Sequence, residues 1–147
     1  MCCDDEKMLA LHKPPRDVLL VVGAVMQDAD GRVLIAERPA GKPMAGLWEF
    51  PGGKVGAGET PEAALVRELK EELGIETCVG CVWPLCFASH AYEHFHVLMP
   101  LFRLQKWEGQ VMPREGQKLA WVHPRDFSQY TFLPADVAVL PVIQQLL

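Results

Sequence analysis

Gly53-Lys54-Val55-Gly56-Ala57-Gly58-Glu59-Thr60-Pro61-Glu62-Ala63-Ala64-Leu65-Val66-Arg67-Glu68-Leu69-Lys70-Glu71-Glu72-Leu73-Gly74-Ile75 reads as a glycine-rich loop feeding an acidic helix. Thr60 suits the N-cap, and Pro61 at the first helical position loses no needed donor, because first-turn amides have no helical partner. Gly74 suits the left-handed position just past the helix, with Ile75 as the apolar residue beyond it. At about 100° per residue, Leu65, Val66, Leu69 and Leu73 share one apolar arc, and Glu68, Glu71 and Glu72 share another. A core explains the first arc. The acidic arc needs a different reason.

Like charges three or four residues apart destabilise a helix by a few tenths of a kcal/mol each. These carboxylates also lie past the helix midpoint, away from the N-terminus where the macrodipole favours anions. One reading is a solvated acidic face, partly offset by Arg67 and Lys70. The other is a site for hard divalent cations, which take oxygen ligands and make clustered carboxylates favourable. Magnesium usually binds one or two carboxylates plus substrate phosphates, so this second reading implies a phosphate-bearing substrate.

Position for position, the stretch resembles the Nudix box: a glycine, five residues, Glu, seven residues, Arg-Glu, an aliphatic, any residue, Glu-Glu, any residue, Gly, an aliphatic. Gly53, Glu59, Arg67, Glu68, Leu69, Glu71, Glu72, Gly74 and Ile75 fill every defined place. The resemblance favours the cation site over the solvated face. It implies a loop-helix-loop that binds magnesium or manganese and hydrolyses a nucleoside diphosphate linked to another group. It also implies an α/β (α+β) fold of the Nudix type, a mixed β-sheet sandwiched between helices.

Working outward, the 147 residues suit one domain, half of them hydrophobic, with a charged fraction of 22%. That composition is one of a folded protein. A net charge of −5 argues against binding a nucleic acid polymer, which calls for a basic surface. No apolar run approaches the roughly 20 residues needed to span a bilayer. The start, Met1-Cys2-Cys3-Asp4-Asp5-Glu6, lacks a basic-then-apolar leader, so a cytoplasmic location is expected. Of the five cysteines, Cys78 and Cys81 form a C-x-x-C in an apolar, strand-like segment without a second such pair. Buried thiols are expected there rather than metal or redox chemistry.

Residues 1–16 read as a loose N-terminal extension and 17–147 as the domain. Val18 to Met26 is a buried strand, Asp28 to Gly31 a turn, and Val33 to Ala36 the expected hairpin partner. Arg38 to Gly46 is a Gly/Pro-rich loop, and Leu47 to Pro51 a short strand into the box. Cys78 to Ser89 and Phe95 to Gln105 read as long strands joined through His90 to His94. Leu119 to Val122 is another strand, and Pro124 to Ser128 a helical turn. Pro134 to Leu147 has helical spacing that Pro141 should break or kink.

From Val18 onward the chain resembles the MutT type of the family, which removes oxidised guanine nucleotides from the DNA precursor pool. On that resemblance, metal ligands are Glu68, Glu71 and Glu72, the Gly52 carbonyl and Glu115 of the loop Arg114-Glu115-Gly116-Gln117. Arg67, four residues from Glu71, is placed to orient and neutralise it, and Glu59 supports the loop or the metal. Glu68 and Glu115 both remain candidates for the general base. Arg38 is placed against the nucleotide phosphates, with Glu49, Phe50 and Gly53 at the nucleotide site. Water then attacks the β-phosphorus of a nucleoside triphosphate such as 8-oxo-dGTP, giving monophosphate and pyrophosphate. The implied role is nucleotide-pool sanitation in DNA repair and replication, by a monomer or weak homodimer.

One position departs from the MutT pattern. Asp136 stands where that type carries an asparagine that reads the oxidised guanine edge. An ionised Asp only accepts hydrogen bonds, from guanine N1–H and amino groups or from the cytosine amino group. Leu133-Pro134-Ala135-Asp136 also resembles the CTP pyrophosphohydrolase branch, which takes CTP and modified dCTP. A helix N-cap is a further role for Asp136. Tyr92 lies at about the place where dinucleoside polyphosphate hydrolases carry a tyrosine, but one Tyr in a loop is commonly incidental. His90, His94 and His96 straddle a turn without zinc-type spacing and read as rim histidines. A non-catalytic Nudix-like nucleotide-binding module is the rival of another class, and such modules typically lose box carboxylates.

Overall fold

The computed structural model describes residues 17–147, so the extension expected over residues 1–16 lies outside the described residues. β1 (Val18–Met26) is central to a four-stranded mixed sheet of order β4-β1-β6-β5. β4 (Gly52–Lys54) runs antiparallel along one edge of β1, and β6 (His96–Leu104) parallel along the other. β5 (Val82–Ala91) pairs antiparallel with β6 at the outer edge. Covered on both faces, β1 needs apolar residues at successive positions, and that is why its sequence does not alternate.

β2 (Val33–Glu37) is not the partner of β1. The turn forms as expected, with Asp28 Oδ1 accepting from the Asp30 and Arg32 amides at 3.0 and 2.8 Å. Beyond a single bridge, Gln27 to Val33, the strands part. A strand has two edges, and both edges of β1 are occupied by β4 and β6. β2 instead joins β3 (Trp48–Glu49) and β7 (Lys118–Val122) in an antiparallel sheet of order β3-β2-β7.

Helix α1 (Pro61–Leu73) starts on Thr60, whose Oγ1 accepts from the Ala63 amide at 3.2 Å, and ends on Gly74 at φ 70°. Its buried stripe is Ala64, Leu65, Leu69 and Leu73, packed with Val22, Ala24 and Met26 of β1 and Phe102 and Leu104 of β6. Val66 is only half-buried, at the margin of the stripe. Each buried leucine contributes about 1.5–3 kcal/mol of transfer free energy. On the opposite side, Val97, Met99 and Leu101 of β6 meet Ile35, Phe50, Phe127, Phe132, Val139 and Ile143. Helical layers thus flank the strands on two sides.

The C-terminal helix is two pieces, α2 (Pro134–Val137) and α3 (Leu140–Leu146). Pro141 falls in the first turn of α3, where its missing N–H leaves nothing unpaired, so it opens a helix rather than kinking one. The cysteine expectation also fails. Cys78 is exposed, Cys81 is half-buried, and the two are joined as a disulfide across a 3₁₀ turn, Val79–Cys81, that precedes β5. The Cys81 amide donates to the Cys78 carbonyl at 2.9 Å, and that turn brings the side chains together.

Candidate active site

The acidic arc of α1 lies against β4. A Cβ on Gly53 would collide with the Glu68 carboxylate, whose oxygens come within 2.6 Å of that point. Glycine here is what lets the carboxylate rest on the strand. One turn further, Glu72 Oε2 accepts from the Gly52 amide at 3.3 Å. The Gly-Gly pair therefore seats both carboxylates.

Arg67 ties loop to helix. Its Nε and Nη2 donate to the two Glu59 oxygens, each at 2.8 Å, and Nη2 also reaches the Lys54 carbonyl at 3.1 Å. Nη1 holds Glu68 at 2.9 Å and Glu71 more loosely at 3.4 Å. Glu59 in turn accepts from the Gly56 amide at 2.7 Å. The Arg67 fork, with that amide, lowers the Glu59 carboxyl to about 2. Glu59 braces the loop.

A cavity of about 740 Å³ opens beside these residues, lined by Arg38, Glu49, Phe50, Gly52, Gly53, Glu68, Glu72, Glu115 and Asp136 among others. Glu59, Arg67 and Glu71 lie outside its lining. Burial raises the Glu72 carboxyl to about 8, reinforced by the Glu68, Glu115 and Glu49 charges. Burial also raises Glu68 and Glu49, with Arg67 and Arg38 respectively holding them back. Among the described residues the acids ring the cavity without converging to ligand distance, as like charges without a counter-ion do. Carboxylates and a Gly52 carbonyl are nonetheless the oxygen donors a hard divalent cation takes. The donor set fits one.

Arg38 lines the cavity but is spread between Glu49, at 3.2 Å from Nη1, and the Pro43 carbonyl, at 2.7 Å from Nε. It pins the loop over residues 38–47 to β3. Glu115 faces the cavity from the loop before β7, with Lys42 Nζ at 3.9 Å.

Asp136 lies in the same cavity at 3% exposure, and its Oδ1 has no hydrogen-bond partner among the described residues. It caps nothing. The N-cap of α2 is Leu133, without a side-chain cap bond. Burial, then the Glu49 charge, raises the Asp136 carboxyl well above its usual range. That shift favours a neutral carboxyl, able both to donate and to accept, over the ionised, accept-only Asp expected from the sequence.

Sequence reasoning set Tyr92 aside as incidental and gave Gln117 no role, yet both line the cavity. Tyr92 Oη accepts from the Ala135 amide at 3.3 Å, and its ring stacks on Phe95 at 5.1 Å. Three aromatic rings, His90, Tyr92 and Phe95, within one short strand connection were the available signal. Gln117 is the second, a buried polar side chain beside Glu115. His94 is exposed, and His96 Nε2 sits 2.6 Å from Ser89 Oγ.

Residues 21–141 match the NUDIX domain family. A CTP pyrophosphohydrolase of Escherichia coli K12 is 40% identical over 134 residues, covering 87% of this chain and 93% of the relative. An 8-oxo-dGTP diphosphatase of the same organism is 31% identical, covering 87% and 98%. Among solved structures, that of the E. coli ORF135 protein superposes with TM-score 0.77 at 36% identity, covering 88% and 91%. A MutT structure from work on Aliivibrio salmonicida and Vibrio cholerae gives 0.73 at 32% identity, covering 89% and 100%. The chain belongs to the NUDIX domain family, as a hydrolase of its MutT-like branch.

Proposed function

We propose that this enzyme hydrolyses 8-oxo-dGTP to the monophosphate and pyrophosphate with Mg2+ or Mn2+, clearing oxidised guanine from the DNA precursor pool. One observation carries the reading. A single cavity holds an acidic, oxygen-rich group at Gly52, Glu68, Glu72 and Glu115 together with a buried carboxyl at Asp136 whose Oδ1 has no partner among the described residues. The first suits metal-bridged phosphates, and the second suits the edge of a base.

Glu68, Glu71, Glu72, Glu115 and the Gly52 carbonyl would hold the divalent cation that Nudix hydrolases need. Bound there, it drains charge from the phosphates and makes a water more acidic. Arg67 fixes Glu68, and Arg38 and Lys42 bring positive charge to the cavity wall. Glu68 or Glu115 takes the proton of the attacking water. The box keeps every carboxylate, which argues against a non-catalytic module. We take the enzyme to act as a monomer or weak homodimer in the cytoplasm. No described helix is long and apolar enough to cross a membrane.

A neutral Asp136 offers one donor beside one acceptor. Guanine presents two acceptors at O6 and N7, but the 8-oxo form carries hydrogen on N7 and so presents the complementary pair. Cytosine also presents such a pair, N3 beside its amino group. That match, with the 40%-identical CTP pyrophosphohydrolase, favours CTP or a modified dCTP as the second reading. The test is a panel of oxidised and normal triphosphates with products resolved in isotopically labelled water. The proposal expects 8-oxo-dGTP to have the highest kcat/KM and the label to enter pyrophosphate. Preference for CTP puts the second reading first, and label in the monophosphate rejects attack at the β-phosphorus.

A further inference from the structure

Gln117 is one of two buried polar residues among the described residues, at 8% exposure, and both ends of its amide are used. Oε1 accepts from the Glu115 amide at 2.8 Å. Nε2 donates to the Glu72 carbonyl at 3.0 Å. The Arg114 amide donates to that same carbonyl, also at 3.0 Å. Glu72 lies in the last turn of α1, so its carbonyl has no partner within the helix. Its two hydrogen bonds come from Arg114 and Gln117, on either side of Glu115 in the chain.

We propose that Gln117 is a positioning residue, whose side-chain amide fixes Glu115 against the helix turn that carries Glu72. Gly116, at φ 74°, makes the reversal that lets Gln117 fold back onto the Glu115 amide. The Glu115 side chain itself is 41% exposed, and its one ion pair, to Lys42, is long at 3.9 Å. Its direction therefore comes from the backbone, which Gln117 clamps. The backbone of one box glutamate thus aims the loop glutamate at the cavity into which its own carboxylate points. This inference rests on the reading of Glu115 as part of the metal-binding or proton-accepting set.

The test is a double-mutant cycle measured across a magnesium titration, with Gln117→Met, Glu115→Gln and the combination. Methionine keeps the length of the side chain and removes both hydrogen bonds. Expected is a fall in kcat of about tenfold or more for Gln117→Met, with the KM for nucleotide nearly constant and the half-saturating magnesium concentration raised. Because Gln117 acts through Glu115, the double variant should match Glu115→Gln alone to within about twofold. A residue that only fills space would lower Tm and give multiplying losses. If Gln117→Met does not fold, Gln117→Glu takes its place in the cycle, since it keeps the acceptor for the Glu115 amide and loses only the donor. Multiplying losses, or an unchanged kcat in the Gln117 variant used, overturn the inference alone. A neutral Glu115→Gln overturns the reading of Glu115 and the inference with it.

Discussion

The Gly52 amide is a hydrogen-bond donor to Glu72, at 3.3 Å, while the charges of Glu68, Glu115 and Glu49 act on that carboxylate as like charges. One amide does not offset burial plus three like charges, so the proton is kept up to about pH 8, against 4.5 in the unfolded chain. A folded pKa above the unfolded one stabilises fully below pH 4.5 and is lost as pH rises through about 8. The Tm of the metal-free protein should accordingly fall across that window. Glu72→Gln should flatten the fall, and magnesium should raise Tm most at its alkaline end. Equal slopes for wild type and Glu72→Gln would remove Glu72 as the source.

Glu71 lies outside the cavity lining, 55% exposed and held by Arg67 at 3.4 Å. Glu71→Gln keeps its size and relieves repulsion along the helix, so Tm should not drop. If Glu71 reaches the metal once phosphates are bound, kcat should fall by about tenfold to a thousandfold. Unchanged turnover at saturating magnesium would leave Glu68 and Glu72 as the helix ligands.

Arg67→Lys keeps the charge but cannot make the two-pronged contact to Glu59 while also reaching Glu68 and the Lys54 carbonyl. The loop over residues 53–59 should loosen, and kcat should fall by about tenfold or more at a nearly constant magnesium requirement. Wild-type kcat in Arg67→Lys would mean that positive charge alone suffices there.

What was legible in the sequence was local. Thr60, Pro61 and Gly74 mark the ends of α1 because a helix cap depends on neighbours a few residues away. Glu68 and Glu72 share a face by helical period alone. The pairing of β1 with β6 could not be read the same way, because Val18 meets His96 and Met26 meets Leu104 across most of the chain. The undervalued Tyr92 and the missed Gln117 have the same cause. Tyr92 bonds 43 residues away to Ala135, and Gln117 bonds 45 residues away to Glu72. No pattern within a window of sequence encodes such a contact. Asp136 was legible as a position, but its protonation depends on burial among Glu49, Phe50 and Arg38, which only the fold supplies.

Replacing Asp136 separates two ways of reading the base. If the carboxyl is neutral when substrate binds, Asn is its near-equivalent, since an amide also presents one donor beside one acceptor. Asp136→Asn should then keep the preference for 8-oxo-dGTP over dGTP to within a few-fold, whereas Asp136→Ala should reduce it by about tenfold to a hundredfold. The pH profile supplies the sign. The neutral form is lost as pH rises through the elevated pKa, so wild-type kcat/KM for 8-oxo-dGTP should decline on the alkaline side, and Asp136→Asn should lack that limb. An ionised Asp136 accepting from guanine N1–H and the amino group gives the reverse, because Asn would then turn a donor toward a donor. Loss of the preference in Asp136→Asn would therefore establish the charged form, and a preference untouched even by Asp136→Ala would move base recognition elsewhere in the cavity.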